Sequence, residues 1–308
     1  MVRFMDAAQT ADLLDFKALR EALKVAALDM AQGRIHSPDR HALPLGEGGT
    51  QLSMPATAPD LGIHKLVTVM PGNGAQGLPT IHGMVTILDA ATGRPQCVLD
   101  GPVVTGRRTA AVSMLAIDLC TRQAPRRVLL VGTGTQAVYH VQALHAFYPD
   151  CVIHVRGSSL AKAEQFCVAQ AAEHAHLVAD HGTDDEAADW DVVLLTTTAT
   201  APVYHATARA HRLVVGVGAF RPDMAEISAH TLAGSALYVD EPSGARHEAG
   251  DFIQAGVDWA RVQSLAQAVQ QAPDLARPIV FTSVGSAAWD LAAGRVAWAA
   301  LSQARAGR

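Results

Sequence analysis

Aromatic residues make up only 5% of this 308-residue chain, and its four cysteines are far apart. The cysteines form no CxxC pair, which predicts buried free thiols in a reducing compartment rather than a disulfide framework or a metal cluster; they are Cys97, Cys120, Cys151 and Cys167. The 14 histidines also lack a ligand spacing such as HExxH. We therefore expect no metal site.

Positive charge is not in excess either. The chain has 24 Lys and Arg residues against 29 Asp and Glu residues, a net charge of −5 at pH 7. Such a chain has no field that would attract nucleic-acid phosphates, so no nucleic-acid partner is expected. No apolar run is long enough to cross a bilayer, and acidic residues interrupt the first segment before a signal peptide could form. We expect a cytoplasmic protein with no membrane partner.

The length and the 49% of hydrophobic residues are typical of two globular domains. From Pro125 onward, short apolar strands alternate with helical segments, as in RRVLLVG, GTGTQAVYHVQALHAF and CVIHV. This alternation predicts an α/β protein with a Rossmann-type doubly wound parallel sheet. The first third instead combines a helix capped by Asp15 with alternating strands at 63–69 and 81–88, and a final helix from Ser286 is expected to fold back onto it.

A glycine-rich turn joins the first apolar strand of the parallel sheet to its helix. It reads Gly132-Thr133-Gly134-Thr135-Gln136-Ala137, the GxGxxA pattern of dinucleotide-binding turns. Gly132 permits the tight turn, Gly134 lets the backbone approach a pyrophosphate, and Ala137 allows close packing of helix on strand. An ordinary tight turn is the alternative, but the strand, turn, helix and second strand together favour a nicotinamide dinucleotide.

The second strand ends without the carboxylate that holds the ribose hydroxyls of NAD. Arg156, Gly157, Ser158 and Ser159 follow its apolar run instead. A guanidinium and two hydroxyls suit a 2′-phosphate, so NADP(H) is expected to be preferred to NAD(H). The alternative is that Arg156 is a solvated surface residue.

Four basic residues suggest a site for an anion. Lys65 lies on the apolar face of a predicted strand, where an unpaired ammonium is costly unless its amine reaches water. Arg107 and Arg108 lie where a helical pattern begins, and cations there oppose the helix dipole unless an anion binds. With Arg40 from the loop HSPDRHALPL, they predict a pocket for a small carboxylate.

Several blocks of the sequence resemble the ornithine cyclodeaminase/mu-crystallin family. Among them are HKLVTVMPGNGAQGLPTIHG, TGRPQCVLDGPVVTGRRTAAVS, VGTGTQA, VGAFRPDMAEI and FTSVGSAAWDLA. The resemblance covers essentially the whole chain, and the order of the blocks is specific for the family but not for one activity. It implies a homodimer in which residues 1–120 and 286–308 form a discontinuous α+β substrate-binding and dimerisation domain. Residues 121–285 are then the Rossmann domain.

The resemblance also assigns roles to individual positions. Arg40, Lys65 and Arg108 are expected to bind the substrate carboxylate. Gly134 and Gln136 are expected at the cofactor phosphates, and Val284 and Gly285 near the nicotinamide. The full set of expected cofactor contacts is Thr80, Arg108, Gly132, Gly134, Thr135, Gln136, Ala137, Arg156, Ser158, Val284 and Gly285.

One departure bears on the activity. Phe220 stands where ornithine cyclodeaminase carries an aspartate, and a phenyl ring neither accepts a proton nor pairs with an ammonium. Whether Asp223, three residues later, replaces that aspartate is left open. The missing aspartate favours another branch of the family, the bacterial reductases of Δ1-pyrroline-2-carboxylate and Δ1-piperideine-2-carboxylate, which show the same HSP.R, LPTIHG and TGRRTAAVS texture.

The expected reaction is NAD(P)H-dependent reduction of a cyclic imino acid to L-proline or L-pipecolate, by hydride transfer to the C=N carbon. Arg40, Lys65 and Arg108 fix the carboxylate in this hypothesis, and Phe220 forms an apolar wall over the ring. Either Lys65, as a catalytic residue, or a bound water protonates the imine nitrogen. The alternatives are ornithine cyclodeaminase, which forms proline and ammonia with NAD, an amino-acid dehydrogenase such as alanine dehydrogenase, and a non-catalytic NADPH-binding protein of the mu-crystallin kind.

Overall fold

The computed structural model describes residues 2–182, 186 and 188–306, and the chain divides into two compact units. Unit 1 comprises Met1–Arg108 with Ser286–Arg308, and unit 2 comprises Thr109–Gly285. The expected α/β class with a Rossmann-type parallel sheet is confirmed. The division between the two units falls between residues 108 and 109, inside one long helix, whereas the domain boundary expected from the sequence, between residues 120 and 121, lies at the end of that helix.

The regular elements are as follows. The helices are α1 (Ala7–Leu13), α2 (Phe16–Ala31), α3 (Gly101–Cys120), α4 (Thr135–Phe147), α5 (Leu160–Gln170), α6 (Ala229–Ala233), α7 (Pro242–Glu248), α8 (Gly250–Ala255), α9 (Leu265–Gln270) and α10 (Ala287–Ala306). The strands are β1 (Arg3–Phe4), β2 (His41–Leu45), β3 (Gly49–Thr57), β4 (Leu61–Val69), β5 (Ile81–Asp89), β6 (Pro95–Asp100), β7 (Arg127–Val131), β8 (Val152–Arg156), β9 (Leu177–Asp180), β10 (Val192–Leu195), β11 (Leu213–Gly216), β12 (Ala236–Val239), β13 (Val262–Ser264) and β14 (Ile279–Thr282).

Unit 1 is built on a six-stranded sheet in the order β1-β6-β5-β4-β3-β2, in which β2 to β6 pair antiparallel. Strand alternation puts Ile63, Lys65 and Val67 on one face, and all three are buried. Helix α10 lies on this face: a Cβ on Gly294 would be 3.0 Å from Cγ2 of Ile63. The last helix therefore completes the unit formed by the first third of the chain.

Unit 2 is built on eight parallel strands in the order β13-β12-β14-β11-β10-β7-β8-β9. The strands β7, β10, β11 and β14 are buried almost throughout, as expected when helices cover both faces of a parallel sheet. The order β9-β8-β7-β10-β11 reverses direction next to β7, which is the switch point of a Rossmann sheet. Ligands of such sheets bind at this point, outside the carboxyl ends of the strands.

Helix α3 begins earlier than the sequence pattern predicted. It begins at Gly101, and the Asp100 carboxylate accepts the N–H of Val103 at 2.9 Å. Arg107 and Arg108 therefore lie in the second turn, beyond the range of the dipole at the helix start. The dipole argument for an anion at these two residues is wrong, although Arg108 itself belongs to the cluster described below.

No helix among the described residues is long and apolar enough to cross a membrane.

All four cysteines are free thiols, of which three are buried and Cys167 is half-buried. Burial raises the pKa of Cys120 to about 12, so this thiol is held in its unreactive protonated form.

Candidate active site

Three charged side chains from different parts of unit 1 meet in its interior. Lys65 on β4 is 2% exposed, and its Nζ lies 2.5 Å from Oδ2 of Asp290 on α10. The Nε of Arg108 lies 3.3 Å from the other carboxylate oxygen of Asp290. Asp290 is fully buried and lies in the first turn of α10, where a helix favours a negative charge. The anionic partner expected for Lys65 is thus a side chain of the protein.

The cluster carries more positive than negative charge. Burial lowers the pKa of Lys65 to about 8; the carboxylate of Asp290 opposes this shift, and the charge of Arg108 adds to it. Arg40, half-buried before β2, lowers the pKa of Lys65 further, so its charge also reaches the cluster. With three cations around one carboxylate, the cluster suits a second, external carboxylate.

Arg107 does not belong to this cluster. Its guanidinium stacks over the ring of Phe16 at 4.0 Å, and its Nε donates to the carbonyl of Leu14 at 2.8 Å. These contacts join α3 to the start of α2, so Arg107 has a structural role within unit 1.

The glycine turn of unit 2 has the conformation that a dinucleotide requires. Gly132 has a φ of +118°, and a Cβ there would lie 2.5 Å from Oγ1 of Thr196. Gly134 is the N-cap of α4, where it is exposed and has open space at its Cβ position. Ala137 is fully buried against the sheet. The exposed helix start beside two glycines therefore fits a pyrophosphate.

The residue expected to recognise the 2′-phosphate has a partner that the sequence pattern did not indicate. The Nε of Arg156, at the end of β8, donates to Oδ2 of Asp180 at 2.8 Å, and the two side chains form an ion pair. Asp180 ends the neighbouring strand β9, while Ser158 is exposed beyond Arg156. Arg156 is held at the carboxyl ends of the parallel strands, called here the ligand edge of the sheet, but Asp180 offsets part of its charge.

Three loops follow the ends of β10, β11 and β14 at one edge of the sheet. The last residues of these strands are in register: Leu195 pairs with Gly216, and Gly216 pairs with Thr282. The loop after β11 carries Phe220, which is 39% exposed. The loop after β14 carries Val284 and Gly285. Because the strands are parallel, all three loops lie at the edge where ligands bind.

A buried carboxylate holds the loop after β14. Asp240 is 3% exposed and follows β12. Its oxygens accept the hydroxyl of Ser283 at 2.7 Å, the N–H of Gly285 at 2.9 Å and the N–H of Val284 at 3.2 Å. Gly285 has a φ of +83°, a backbone conformation that favours glycine. Asp240 therefore fixes the segment expected near the nicotinamide.

The model of the ornithine cyclodeaminase/mu-crystallin family matches residues 2–304. The chain belongs to this family. It is 54% identical over 303 residues to a Δ1-pyrroline-2-carboxylate/Δ1-piperideine-2-carboxylate reductase of Azospirillum brasilense, covering 98% of this chain and 97% of the relative. It is 27% identical over 271 residues to the ketimine reductase mu-crystallin of Mus musculus, covering 86% and 85% of the two chains.

Two solved structures share the fold of this chain. The Δ1-pyrroline-2-carboxylate reductase of Thermococcus litoralis, solved with NADH and L-proline, has a TM-score of 0.88 at 22% identity and covers 98% of both chains. An archaeal alanine dehydrogenase dimer with bound NAD has a TM-score of 0.86 at 22% identity, covering 98% of this chain and 96% of the other. At this identity the likeness concerns the fold alone.

The expected site residues of this family member fall into two sets. Unit 1 contains Arg40, Lys65, Thr80 and Arg108; Thr80 is exposed before β5. Unit 2 contains the other ten, which are Gly132, Gly134, Thr135, Gln136, Ala137, Arg156, Ser158, Phe220, Val284 and Gly285. Asp223 forms an exposed ion pair with Arg221 at 3.0 Å. Among the described residues, no group of histidines, cysteines and acids could hold a metal ion.

Sequence reasoning missed two acids of the site. Asp290 was visible as a single charge in the apolar start of the last helix, SAAWDLAA, where an unpaired carboxylate would be costly. Asp240 was visible as the acid that ends the apolar run ALYVD. Neither sequence pattern indicates which residues the carboxylate contacts, because the residues that Asp290 and Asp240 contact are distant in the sequence.

Proposed function

We propose that this protein is an NAD(P)H-dependent reductase of cyclic imino acids, which converts Δ1-pyrroline-2-carboxylate and Δ1-piperideine-2-carboxylate to L-proline and L-pipecolate. The observation that carries the proposal is the buried cluster of Lys65, Arg108 and Asp290, with its excess of positive charge. The name of the 54% identical relative, which covers nearly the whole chain, supports the same substrates.

The side chains of unit 1 orient the substrate. Its carboxylate binds Arg108, Lys65 and Arg40, which leaves the neighbouring C=N carbon in a fixed position. When bound, the reduced nicotinamide supplies a hydride to that carbon. Phe220 provides an apolar surface for the ring, a role for which its position after β11 and its 39% exposure are suitable.

Lys65 supplies the proton in this proposal. Reduction of the C=N bond adds a hydride to carbon and a proton to nitrogen, and Lys65 is the acid of the cluster. With its pKa lowered to about 8, Lys65 is protonated at neutral pH yet gives up a proton more easily than an ordinary lysine. Asp290 keeps the ammonium in place at 2.5 Å. Activity is expected to fall as the pH rises through about 8, where Lys65 loses its proton.

The cofactor binds unit 2 in this proposal, with its pyrophosphate at Gly132, Gly134 and the start of α4. We propose a preference for NADP(H), because Arg156 ends β8 and Ser158 follows it, where NAD-specific sheets carry an acid. The ion pair between Arg156 and Asp180 limits that preference, so NADH is expected to be used as well.

The assembly proposed is a homodimer that pairs two copies of the unit 1 sheet. Strand pairing puts Leu66 and Met84 on the face away from Lys65, and Met84 is 43% exposed. Leu43, which is 55% exposed, joins them on β2. The face is otherwise largely polar, and these apolar side chains suit contact with a second copy; the structurally similar alanine dehydrogenase is a dimer. Light scattering tests this: a Met84→Glu variant is expected to be monomeric, and a monomeric wild-type protein would contradict the proposal.

An absorbance assay tests the proposed reaction. Purified protein is mixed with each cyclic imino acid and with NADPH or NADH, and the loss of reduced nicotinamide and the amino-acid product are measured. Parallel mixtures contain ornithine with NAD, and alanine with NAD. Formation of proline and pipecolate supports the reductase. Ammonia and proline from ornithine would instead indicate a cyclodeaminase, and NADPH binding without any turnover a mu-crystallin-like binding protein.

A further inference from the structure

Glu226 is a fully buried carboxylate that joins two loops at the ligand edge of the unit 2 sheet. Its Oε1 accepts the N–H of Thr197 at 2.5 Å, and its Oε2 accepts the N–H of Gly218 at 2.7 Å. Thr197 follows β10, and Gly218 follows β11. Each carboxylate oxygen therefore fixes a different loop, and both oxygens are used.

The two loops pack too closely for any side chain between them. A Cβ on Gly218 would lie 1.9 Å from the carbonyl oxygen of Thr197 and 2.6 Å from Oε1 of Glu226. The backbone of Glu226 is itself fixed, since its carbonyl accepts the N–H of Tyr204 at 2.9 Å and its own N–H is accepted by Asp251 at 2.6 Å. Glu226 thus holds the loops from a rigid position.

The loop after β11 leads directly to Phe220. The N–H of Phe220 donates to the carbonyl of Gly218 at 3.1 Å, so the position of Gly218 is coupled to the backbone that carries the phenyl ring. The same loop contacts the start of α8, because the N–H of Gly250 donates to the carbonyl of Ala219 at 3.4 Å. A change at Glu226 is transmitted to Phe220 through one glycine and one backbone hydrogen bond.

We propose that Glu226 is a positioning residue of the reductase reaction, whose ionised carboxylate holds the Thr197 and Gly218 loops, and with them Phe220, in the arrangement that hydride transfer requires. This inference rests on the proposed function. Glu226 contacts neither substrate nor cofactor in it, and acts through the backbone that it binds.

The ionised form is the one that holds both loops. A carboxylate accepts from both N–H groups, whereas a protonated carboxyl carries a hydrogen on one oxygen, which then opposes an N–H donor. Burial raises the pKa of Glu226 to about 7, and the charge of Asp251, which faces it from α8, acts in the same direction. The N–H groups of Thr197 and Gly218 and the hydroxyl of Thr197 oppose the shift. Acidification through pH 7 is therefore expected to release one loop.

The main test is Glu226→Gln, which has the shape of the protonated acid. Its amide nitrogen must face one of the two N–H groups, so one loop is released at every pH. We expect kcat to fall about tenfold at pH 8, with a much smaller change in KM for the imino acid. As the pH is lowered from 8 to 6, the ratio of wild-type kcat to variant kcat should fall towards one, because the wild-type carboxyl then becomes protonated and resembles the amide. Titration of the substrate cancels in this ratio.

Asp251→Asn provides a second, independent test. A single oxygen of Asp251 accepts both the Glu226 and the Ile227 N–H, at 2.6 and 2.8 Å, while its other oxygen has no hydrogen-bond partner among the described residues. Asparagine can keep both bonds and removes the charge that raises the pKa of Glu226. The acidic limb of the kcat profile should therefore move to lower pH.

Asp191→Asn is the matched control. Asp191 precedes β10 at the opposite end of the sheet, where its Oδ2 accepts the N–H groups of Arg126 and Arg127 at 2.7 and 2.9 Å. It is also a carboxylate that binds two backbone amides, but away from the ligand edge. Its conversion to the amide is expected to leave kcat and its pH profile unchanged.

A pH-independent ratio of wild-type to Glu226→Gln kcat would overturn the inference, because a purely structural role changes stability and not this ratio. If Glu226→Gln does not fold, the shift of the acidic limb in Asp251→Asn decides instead. Hydrogen exchange of the Thr197 and Gly218 amides in the wild-type protein, corrected for intrinsic rates, should accelerate from pH 8 to pH 6. That measurement needs no turnover, so it tests the hold on the loops even if no imino acid is reduced and the proposed function fails.

Discussion

The two units build their candidate ligand sites from different groups. In unit 1 the site consists of charged side chains, with Lys65 and Arg108 against Asp290 in a buried cluster. In unit 2 it consists of backbone at the ends of parallel strands, held by Asp240 and Glu226 through their hydrogen bonds to N–H groups. Unit 1 is therefore suited to recognise the charge of a small anion, and unit 2 to recognise the shape of a longer ligand.

The largest effect is expected when a charge is removed from the unit 1 cluster. Lys65→Met keeps much of the packing volume but removes both a carboxylate contact and the proposed proton donor. We expect kcat/KM for the imino acid to fall about 10²–10⁴-fold, while the affinity for NADPH stays within about twofold. Steady-state kinetics and cofactor fluorescence measure the two. An equal loss of kcat/KM for the imino acid and of affinity for NADPH would show that Lys65 also contributes to cofactor binding. Substrate recognition would then not be confined to unit 1 and cofactor recognition to unit 2.

The next effect concerns the anion of the same cluster. Asp290→Asn leaves two buried cations without their shared carboxylate, and breaking a buried pair in this way costs about 3–5 kcal/mol of stability. Because Asp290 raises the pKa of Lys65, its removal should also move the alkaline limb of the kcat profile to below about pH 8. Thermal unfolding and the pH profile check both outcomes. An unmoved alkaline limb would show that Lys65 is not the group that titrates.

A smaller effect is expected at the backbone of unit 2. In Asp240→Asn, the amide nitrogen must face donors of the Ser283–Gly285 loop, since both oxygens of Asp240 accept hydrogen bonds there. We expect the Kd of NADPH to rise about tenfold, which corresponds to about 1.4 kcal/mol, close to the lower end of what one charge-assisted hydrogen bond contributes. Fluorescence titration measures it. Ser283→Ala, which removes one of the bonds, should have a weaker effect in the same direction.

The smallest effects separate the two cofactors. Arg156→Ala should lower kcat/KM for NADPH about fivefold and leave that for NADH nearly unchanged, because only NADPH carries the 2′-phosphate. Asp180→Ala should change the preference in the opposite direction, since it removes the carboxylate that offsets the charge of Arg156. Competition kinetics with both cofactors measure these ratios. Equal changes of kcat/KM for NADPH and NADH in both variants would show that Arg156 does not bind the 2′-phosphate.

Features that depend on local sequence were predictable. The period-two pattern at 63–69 became β4 (Leu61–Val69), and Asp15 caps α2 as expected, with the N–H of Ala18 at 2.8 Å. The glycine turn could be identified because strand, turn and helix are adjacent in the chain. The need of Lys65 for an anion was also predictable, because burying an unpaired ammonium is costly wherever it occurs.

Features that depend on contacts between residues distant in the sequence could not be predicted. The start of α3 at Gly101 was missed because glycine and proline usually mark the end of a helical pattern. The glycine is required by a close approach, in which a Cβ on Gly101 would lie 2.6 Å from the backbone of Gly83. Asp290, Asp240 and Glu226 are acids in segments that read as helix start or loop, where carboxylates are usually solvated. Their burial follows from long-range packing, which no spacing in one sequence reveals.

The most direct test of the proposed division of the ligands compares two substrates in two proteins. Δ1-Pyrroline-2-carboxylate and the same ring without its carboxylate are offered to the wild-type protein and to Lys65→Met with NADPH, and kcat/KM is measured for each. We predict that the wild-type protein prefers the carboxylate by at least about a thousandfold and that Lys65→Met loses at least about tenfold of this preference. Equal use of the two rings by the wild-type protein, or an unchanged preference in the variant, would contradict the account.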